Sequence, residues 1–402
     1  MDSKKQQLGV LTLAGFALLS AGGPLGTDMY LPALPLIGQD LGASPAVVQL
    51  SITAYMVGMA MGQLLIGPLS DGRGRRGLLC FGMALGLVAS VVCAIAPTAA
   101  VLIAARFFQG VAGGTGVVLT RAMIADKLRG SAAAQALSVM MLIIGVAPIL
   151  APLLGGVINE AAGWRAIFFT LALIALAQIL VAWRQPETLP VERRHGGGPV
   201  RMYRNMLGLF RRPAFVGYAM AFAFGFGTMF AFIAGSSFVY QEVFGLSSVG
   251  FSAMFALNAV ALLSANSLNI RLVGRIGARR LQRVAVSLIA LGAVAVLLCG
   301  LFLPRDVDAA MYVLAASVFV ATFGVGLNMS NSTALAQGLA ADRAGAGSAV
   351  LGAGQFVVAG VMSPLVGLGS DRMLALGLCM VASVAVAIAG TLLAAKFAPN
   401  AE

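Results

Sequence analysis

The sequence predicts an all-α membrane protein with twelve transmembrane helices in two six-helix bundles. Three observations lead there. The 402 residues are 60% hydrophobic and only 10% charged, with a mean hydropathy of +0.96, whereas a soluble domain carries about 25% charged residues. The apolar residues form runs long enough to cross a hydrocarbon core roughly 30 Å thick, and these are continuous rather than alternating, which selects helices over a β-barrel. The basic residues gather on one side of the runs.

The runs place spans at 8–37, 45–69, 77–96, 99–125, 133–159, 164–184, 213–240, 247–270, 281–303, 308–337, 344–367 and 372–396. The first run follows Lys4 and Lys5 as a signal peptide would. It is too long for one and shows no small-residue cleavage site, so it reads as a span. Of the 26 Lys and Arg, all but Arg106, Arg165, Arg305 and Arg372 lie at the termini or in the even-numbered loops, counting the near end of the fourth span. That is the positive-inside pattern with both termini cytoplasmic, as in a multi-pass inner-membrane protein. The net charge of +12 therefore records topology and calls for no nucleic-acid partner.

A polar, basic, Gly- and Pro-containing stretch separates six spans from six, giving a bundle over 1–184, a linker over 185–212 and a bundle over 213–402. The linker holds the only histidine, His195, so no histidine proton relay is available. Gly274, Gly277, Arg279 and Arg280 after the eighth span echo the glycines and arginines after the second. Two similar six-helix units are the architecture of a secondary transporter, with its site where the halves meet. Cys80, Cys93, Cys299 and Cys379 lie inside apolar runs without CxxC spacing and read as small core residues. No metal or cofactor cluster, P-loop or long extramembrane segment points to an enzyme or receptor.

Asp28 is the one carboxylate deep within the spans, and Arg106 the one arginine comparably deep. An ionisable group there is expensive and marks a functional site by default. The first span runs outward to Ile37 and the fourth inward from Ala99. At 1.5 Å per residue the two groups lie roughly 13 and 10 Å from the outer boundary. Burial and a neighbouring guanidinium pull a carboxylate's proton affinity in opposite senses, and such a balance suits a proton carrier. The bland alternative is a static ion pair between the first and fourth spans. Arg121 and Asp126 mark the cytoplasmic end of the fourth span, where snorkelling to headgroups competes with a gate contact.

Several segments resemble a known family. Gly67-Pro-Leu-Ser-Asp71-Gly-Arg73-Gly74-Arg75-Arg76 resembles motif A of the major facilitator superfamily. Ala105-Arg106-Phe-Phe-Gln109-Gly110 is similar to its arginine motif, and Gly145 to Gly156, with Pro148, Pro152 and Gly155, to its antiporter motif. More narrowly, Thr27-Asp28-Met29-Tyr30-Leu31-Pro32-Ala-Leu-Pro35, Trp164 to Phe168, Pro186-Glu187-Thr188-Leu189-Pro190 and Ser237 to Tyr240 resemble the bicyclomycin-resistance and chloramphenicol/florfenicol efflux (Bcr/CflA) branch.

The resemblance implies drug export in exchange for protons, with Asp28 and Arg106 coupling the proton. An exporter of a metabolite such as an amino acid or nucleoside is the alternative. It also implies that Asp71 latches onto a helix start in the other half, near Gly345–Ser348, while Gly67, Arg73, Gly74, Arg75 and Arg76 shape the switch. Pro148, Pro152, Gly155 and Gly156 make a closely packed, kinked fifth helix that belongs to the same switch. For substrate contact the candidates are Tyr30, Gln109, Met140, Met141, Phe222, Phe226, Met229, Asn328 and Gln355, with Phe224 and Phe232 as further wall. Asn258, Asn266 and Asn331 are read as helix–helix hydrogen-bonders. The expected partners are a small amphipathic drug or metabolite, protons and the lipid bilayer; the expected state is a monomer without cofactor.

Overall fold

The computed structural model describes residues 10–128, 130–194, 199–303, 308–368 and 371–397; His195 lies outside them. Fourteen α-helices follow in order: α1 Val10–Asp28, α2 Leu34–Asp40, α3 Pro45–Arg73, α4 Arg76–Ala94, α5 Ala99–Lys127, α6 Gly130–Ala162, α7 Trp164–Arg184, α8 Pro199–Leu209, α9 Pro213–Phe238, α10 Ser248–Ile276, α11 Ala278–Phe302, α12 Asp308–Leu339, α13 Ala344–Val366 and α14 Arg372–Phe397. Every expected span is helical, and the chain is a multi-pass membrane protein of the predicted class. Many large apolar side chains are exposed, among them Phe81, Leu173 and Phe302, as a surface solvated by lipid requires.

The first span departs from expectation. It is not one helix: α1 stops at Asp28, a 3₁₀ turn covers Leu31–Ala33, and α2 carries on to Asp40. Proline explains the stop. Pro32 has no N–H to offer the carbonyl of Asp28, and its ring crowds that carbonyl; Pro35 then starts α2 near its first turn, where a missing donor costs nothing.

The chain forms two compact units, one of Met1–Tyr30 with Ala54–Arg201, the other of Leu31–Thr53 with Met202–Glu402. The first crossing between them falls at Tyr30/Leu31, within the break that follows Asp28. In the first unit α1 packs on α5, α6 and α7, and α4 on α5 and α7. In the second, α9 packs on α12, α13 and α14, and α12 on α10 and α11. Leu31–Thr53 is tied in by hydrogen bonds from Gln241 Nε2 to Pro32 O (2.8 Å), Gln49 Nε2 to Ala234 O (3.1 Å) and Thr53 Oγ1 to Gly360 O (2.8 Å).

Candidate functional site

Arg106, in mid-α5, is fully buried. Its Nη1 donates to the carbonyl of Gly26 (2.7 Å) and to Gln109 Oε1 (2.6 Å). Its guanidinium lies 4.0 Å from the ring centre of Tyr30 and 4.1 Å from that of Tyr55. The Gly26 carbonyl is open because α1 ends two residues later, leaving its last turn of carbonyls without helical partners. A cation at a helix C-terminus also suits the helix dipole. Each charge-assisted hydrogen bond is worth about 1.5–3 kcal/mol, and each cation–π contact about 1 kcal/mol. These contacts offset part of the cost of burying the guanidinium without a carboxylate; its Nε and Nη2 are buried with no hydrogen-bond partner among the described residues.

The shell around Arg106 is itself anchored. Gln109 Nε2 donates to Ser90 Oγ (2.7 Å), which donates to Gly86 O (2.7 Å). Tyr55 donates its hydroxyl to Gly23 O (2.8 Å). The tyrosine sits over Arg106 because α3 and α5 touch backbone to backbone: a Cβ on Gly110 would enter the Tyr55 carbonyl, and one on Gly62 would lie 2.6 Å from Val111 O. Small residues four apart allow that approach.

Asp28 is buried at the last position of α1. Among the described residues it forms no ion pair with Arg106 or any other cation, and accepts no hydrogen bond. The static pair between the first and fourth spans is therefore absent. Arg106 instead meets the chain on either side of Asp28, at the Gly26 carbonyl and the Tyr30 ring. On the facing helix, a side chain at Gly155 of α6 would collide with the Met29 carbonyl, so α6 presses its backbone against the break itself. Pro148 and Pro152 sit inside a single uninterrupted α6, and Gly156 is buried beside them. Met140 and Met141 are also in α6, their side chains outside the described set.

A second cluster forms at the turn between α3 and α4. Arg75 pairs with Asp71 (Nη1–Oδ1 2.6 Å) and with Asp126 (Nε–Oδ2 3.2 Å), and bonds to Ser70. Asp126 also accepts from Thr188 Oγ1 (2.9 Å). The acid thus serves Arg75 and not Arg121, which is exposed. Glu187 closes the cluster from the far side of the unit, accepting from the backbone N–H groups of Arg75 (2.9 Å) and Arg76 (3.2 Å) at the start of α4. Arg76 Nη2 donates to Trp183 O (2.7 Å). Gly74 turns the chain with φ +95°, and its missing side chain makes the room Glu187 occupies.

Burial, the largest single influence on Glu187, pushes its carboxyl up. The N–H groups of Arg75, Leu189, Arg76 and Thr188 together outweigh it and hold the group below its ordinary value of 4.5. Asp71 stays half-exposed, Arg73 is exposed, and Gly67 is open to a small side chain.

Of the substrate candidates, Tyr30 and Gln109 belong to the Arg106 shell. In the second unit Asn328 is fully buried, donating to Ala221 O (2.8 Å) and accepting from Ser332 Oγ (2.8 Å), so its amide is committed to packing α12 on α9. Phe222 packs in a core with Phe215, Tyr218 and Leu209. Phe226 stacks near Phe230 and Phe356, with centroids 5.5 and 6.2 Å away, and Met229 and Gln355 are half-buried. Phe224 is half-buried and Phe232 buried among Tyr240 and Phe255. Asn258, Asn266 and Asn269 of α10 bond to Thr322, Ser330 and Asn331 of α12.

Sequence reasoning missed Tyr55, Gly26 and Ser90 around Arg106, the partner of Asp126, and the role of Glu187. Pro32 was the available signal for the open carbonyls. An acid between two prolines, directly after a span and next to a basic linker, was the signal for Glu187.

Comparison with known proteins bears on this geometry. The family described as Major Facilitator Superfamily matches residues 16–364. The MFS-type transporter YdgK of Bacillus subtilis is 37% identical, over 94% of this chain and 92% of its own length. The bicyclomycin resistance protein homolog of Haemophilus influenzae is 33% identical over 93% of this chain and 94% of its own. Among solved structures, the partially occluded inward-open xylose transporter XylE of Escherichia coli superposes with a TM-score of 0.71 at 15% identity, over 97% of this chain and 98% of that one, a likeness of fold.

Proposed function

This chain belongs to the major facilitator superfamily, in its bicyclomycin-resistance branch, and we propose that it is a proton-coupled antiporter exporting amphipathic antibiotics by alternating access. Membership makes it a membrane transporter rather than an enzyme. The proposed setting is a bacterial inner membrane with both termini cytoplasmic, following the placement of basic residues.

The observation that carries this reading is the position of Asp28. It ends α1 at the break where the chain leaves one compact unit for the other, unpaired among the described residues, with Arg106 held just behind it by the Gly26 carbonyl. A proton taken or lost there changes the charge at the end of α1, where a difference in proton affinity between two conformations can shift their populations. Arg106 keeps the site electropositive without neutralising it permanently. Substrate and proton then alternate: the carboxylate accepts a proton from outside as drug departs and releases it inside as drug is taken up. Asp71, with the Arg75 cluster, latches the start of α13 in one state and releases it in the other.

Drug-sensitive cells expressing the intact protein, compared with Asp28→Asn, test the reading. The intact chain should confer resistance and lower drug accumulation, and a protonophore should abolish both. Resistance unaffected by a collapsed proton gradient would refute proton coupling.

A further inference from the structure

Helix α8 joins the two halves and is strongly amphipathic. Its buried side faces the second unit: Leu209 is fully buried, and it and Met206 pack against Phe215, Tyr218 and Ala340. The opposite side is not covered by protein among the described residues. Leu207 is 68% exposed and Phe210 58%. Arg204 and Arg211 are exposed beside them and form no ion pair among the described residues. At 100° per residue, Arg204 and Leu207 of α8 share one stripe, opposite Leu209 and Met206. The turn continues past α8 through Phe210 N to Leu207 O (3.2 Å) and Arg211 N to Gly208 O (3.4 Å).

We infer that this face of α8 is a docking site for anionic phospholipid headgroups, with Leu207 and Phe210 entering the acyl boundary and Arg204 and Arg211 engaging the phosphates. Two arguments on the geometry choose lipid over a protein partner. Only a few residues separate Leu209 from Pro213, where a membrane-crossing helix starts. At about 3.6 Å per residue the end of α8 cannot be further than ~14 Å from that helix, which keeps it within reach of the headgroup layer. The face also pairs an apolar stripe with unpaired guanidinium groups, the pattern of interfacial helices on anionic membranes.

This C-terminal end of the element is clamped. Arg212 donates to both carboxylate oxygens of Asp342 (2.7 Å each) and to Leu339 O (2.7 Å), and the Arg343 guanidinium lies against Gly208. Lipid bound on α8 therefore bears directly on the turn that leads into α13.

The test attaches an environment-sensitive fluorophore at Leu207→Cys, in a chain whose four native cysteines are replaced by alanine. The protein is reconstituted into phosphatidylcholine alone and into phosphatidylcholine mixed with phosphatidylglycerol. The inference expects a blue-shifted emission that requires phosphatidylglycerol and reverses in high salt. Arg204→Gln and Arg211→Gln should each lower the apparent phosphatidylglycerol affinity roughly fivefold. In native mass spectrometry, which also reports folding, the double variant should retain fewer phosphatidylglycerol adducts. Identical emission in both lipids, or an unchanged response in the double variant, would overturn it. So would an emission that instead follows protein concentration, which would mean the face is covered by a second copy.

Discussion

Arg106 donates to the carbonyl of Gly26, 2.7 Å away, and so closes the end of the helix that stops two residues later at Asp28. The first unit's deep cation is bound to a backbone carbonyl, Gln109 and two aromatic faces, and Asp28 has no ion-pair partner among the described residues. That division of labour makes distinct demands on the two residues.

For Arg106 the demand is geometric. A lysine ammonium has no planar face to lie between the Tyr30 and Tyr55 rings, where the guanidinium sits 4.0 and 4.1 Å from the ring centres. Arg106→Lys and Arg106→Ala should each cut initial efflux rates tenfold or more, with Arg121→Ala far milder. Rates in everted vesicles rank them. A larger loss for Arg121 would mean that the cytoplasmic end of α5, and not its middle, holds the essential cation.

The contact of α6 with the break is tested at Gly155. Gly155→Val places a side chain in the Met29 carbonyl and should lower the detergent melting temperature and abolish transport, a cost on the order of 2–4 kcal/mol. Gly338→Ala, where nothing lies within 4 Å, should be neutral or mildly stabilising. Equal melting temperatures would remove the close approach of α6 to Met29 from the account.

Glu187 gives a prediction with a pH sign. Its carboxyl is held below its ordinary value of 4.5 in the fold. The clasp on Arg75 and Arg76 is thus complete above that value and is lost as pH falls through the lower, folded one. Melting temperatures should not vary with pH through this group between neutral pH and pH ~5, and should decline below about 4.5. Glu187→Gln should lower the neutral-pH value by a few degrees and flatten the acid decline. A variant that matches the parent throughout would show that the four N–H contacts contribute nothing.

The proposed latch is testable from both sides of the membrane. Asp71→Ala removes the acid that pairs with Arg75 (2.6 Å) and should bias the protein toward the inward-open state. Cysteines placed along α13 should then label faster from the cytoplasm and slower from outside. Unaltered labelling from both faces would discard the latch.

The architecture was legible because lipid imposes it: apolar runs of sufficient length leave a chain no other way to satisfy its backbone. Asp28 and Arg106 were legible for the same reason, since charge stands out against such runs. Their relationship was not. Depth set the two groups at one level and left a static ion pair open as the alternative, but depth along a helix does not say which carbonyls a helix end has left open. That depends on Pro32, four residues beyond Asp28, and on glycines in α3 and α5 that bring Tyr55 over the guanidinium. Asp126 was read with Arg121, five residues away in the same helix, yet it bonds to Arg75 from the turn between α3 and α4. Glu187 was recognised as part of a motif, but two of its four N–H partners, Arg75 and Arg76, are more than a hundred residues earlier. Contacts of that range are settled by packing, which local pattern does not encode.

The central claim is that Asp28 carries the proton. Purified protein in liposomes with an imposed pH gradient, loaded with drug and an internal pH-sensitive dye, measures both fluxes at once. Wild type should move protons against drug in a fixed ratio, and Asp28→Asn should still bind drug while moving neither uphill. An Asp28→Asn protein that keeps gradient-driven drug movement with its accompanying proton flux would contradict the account.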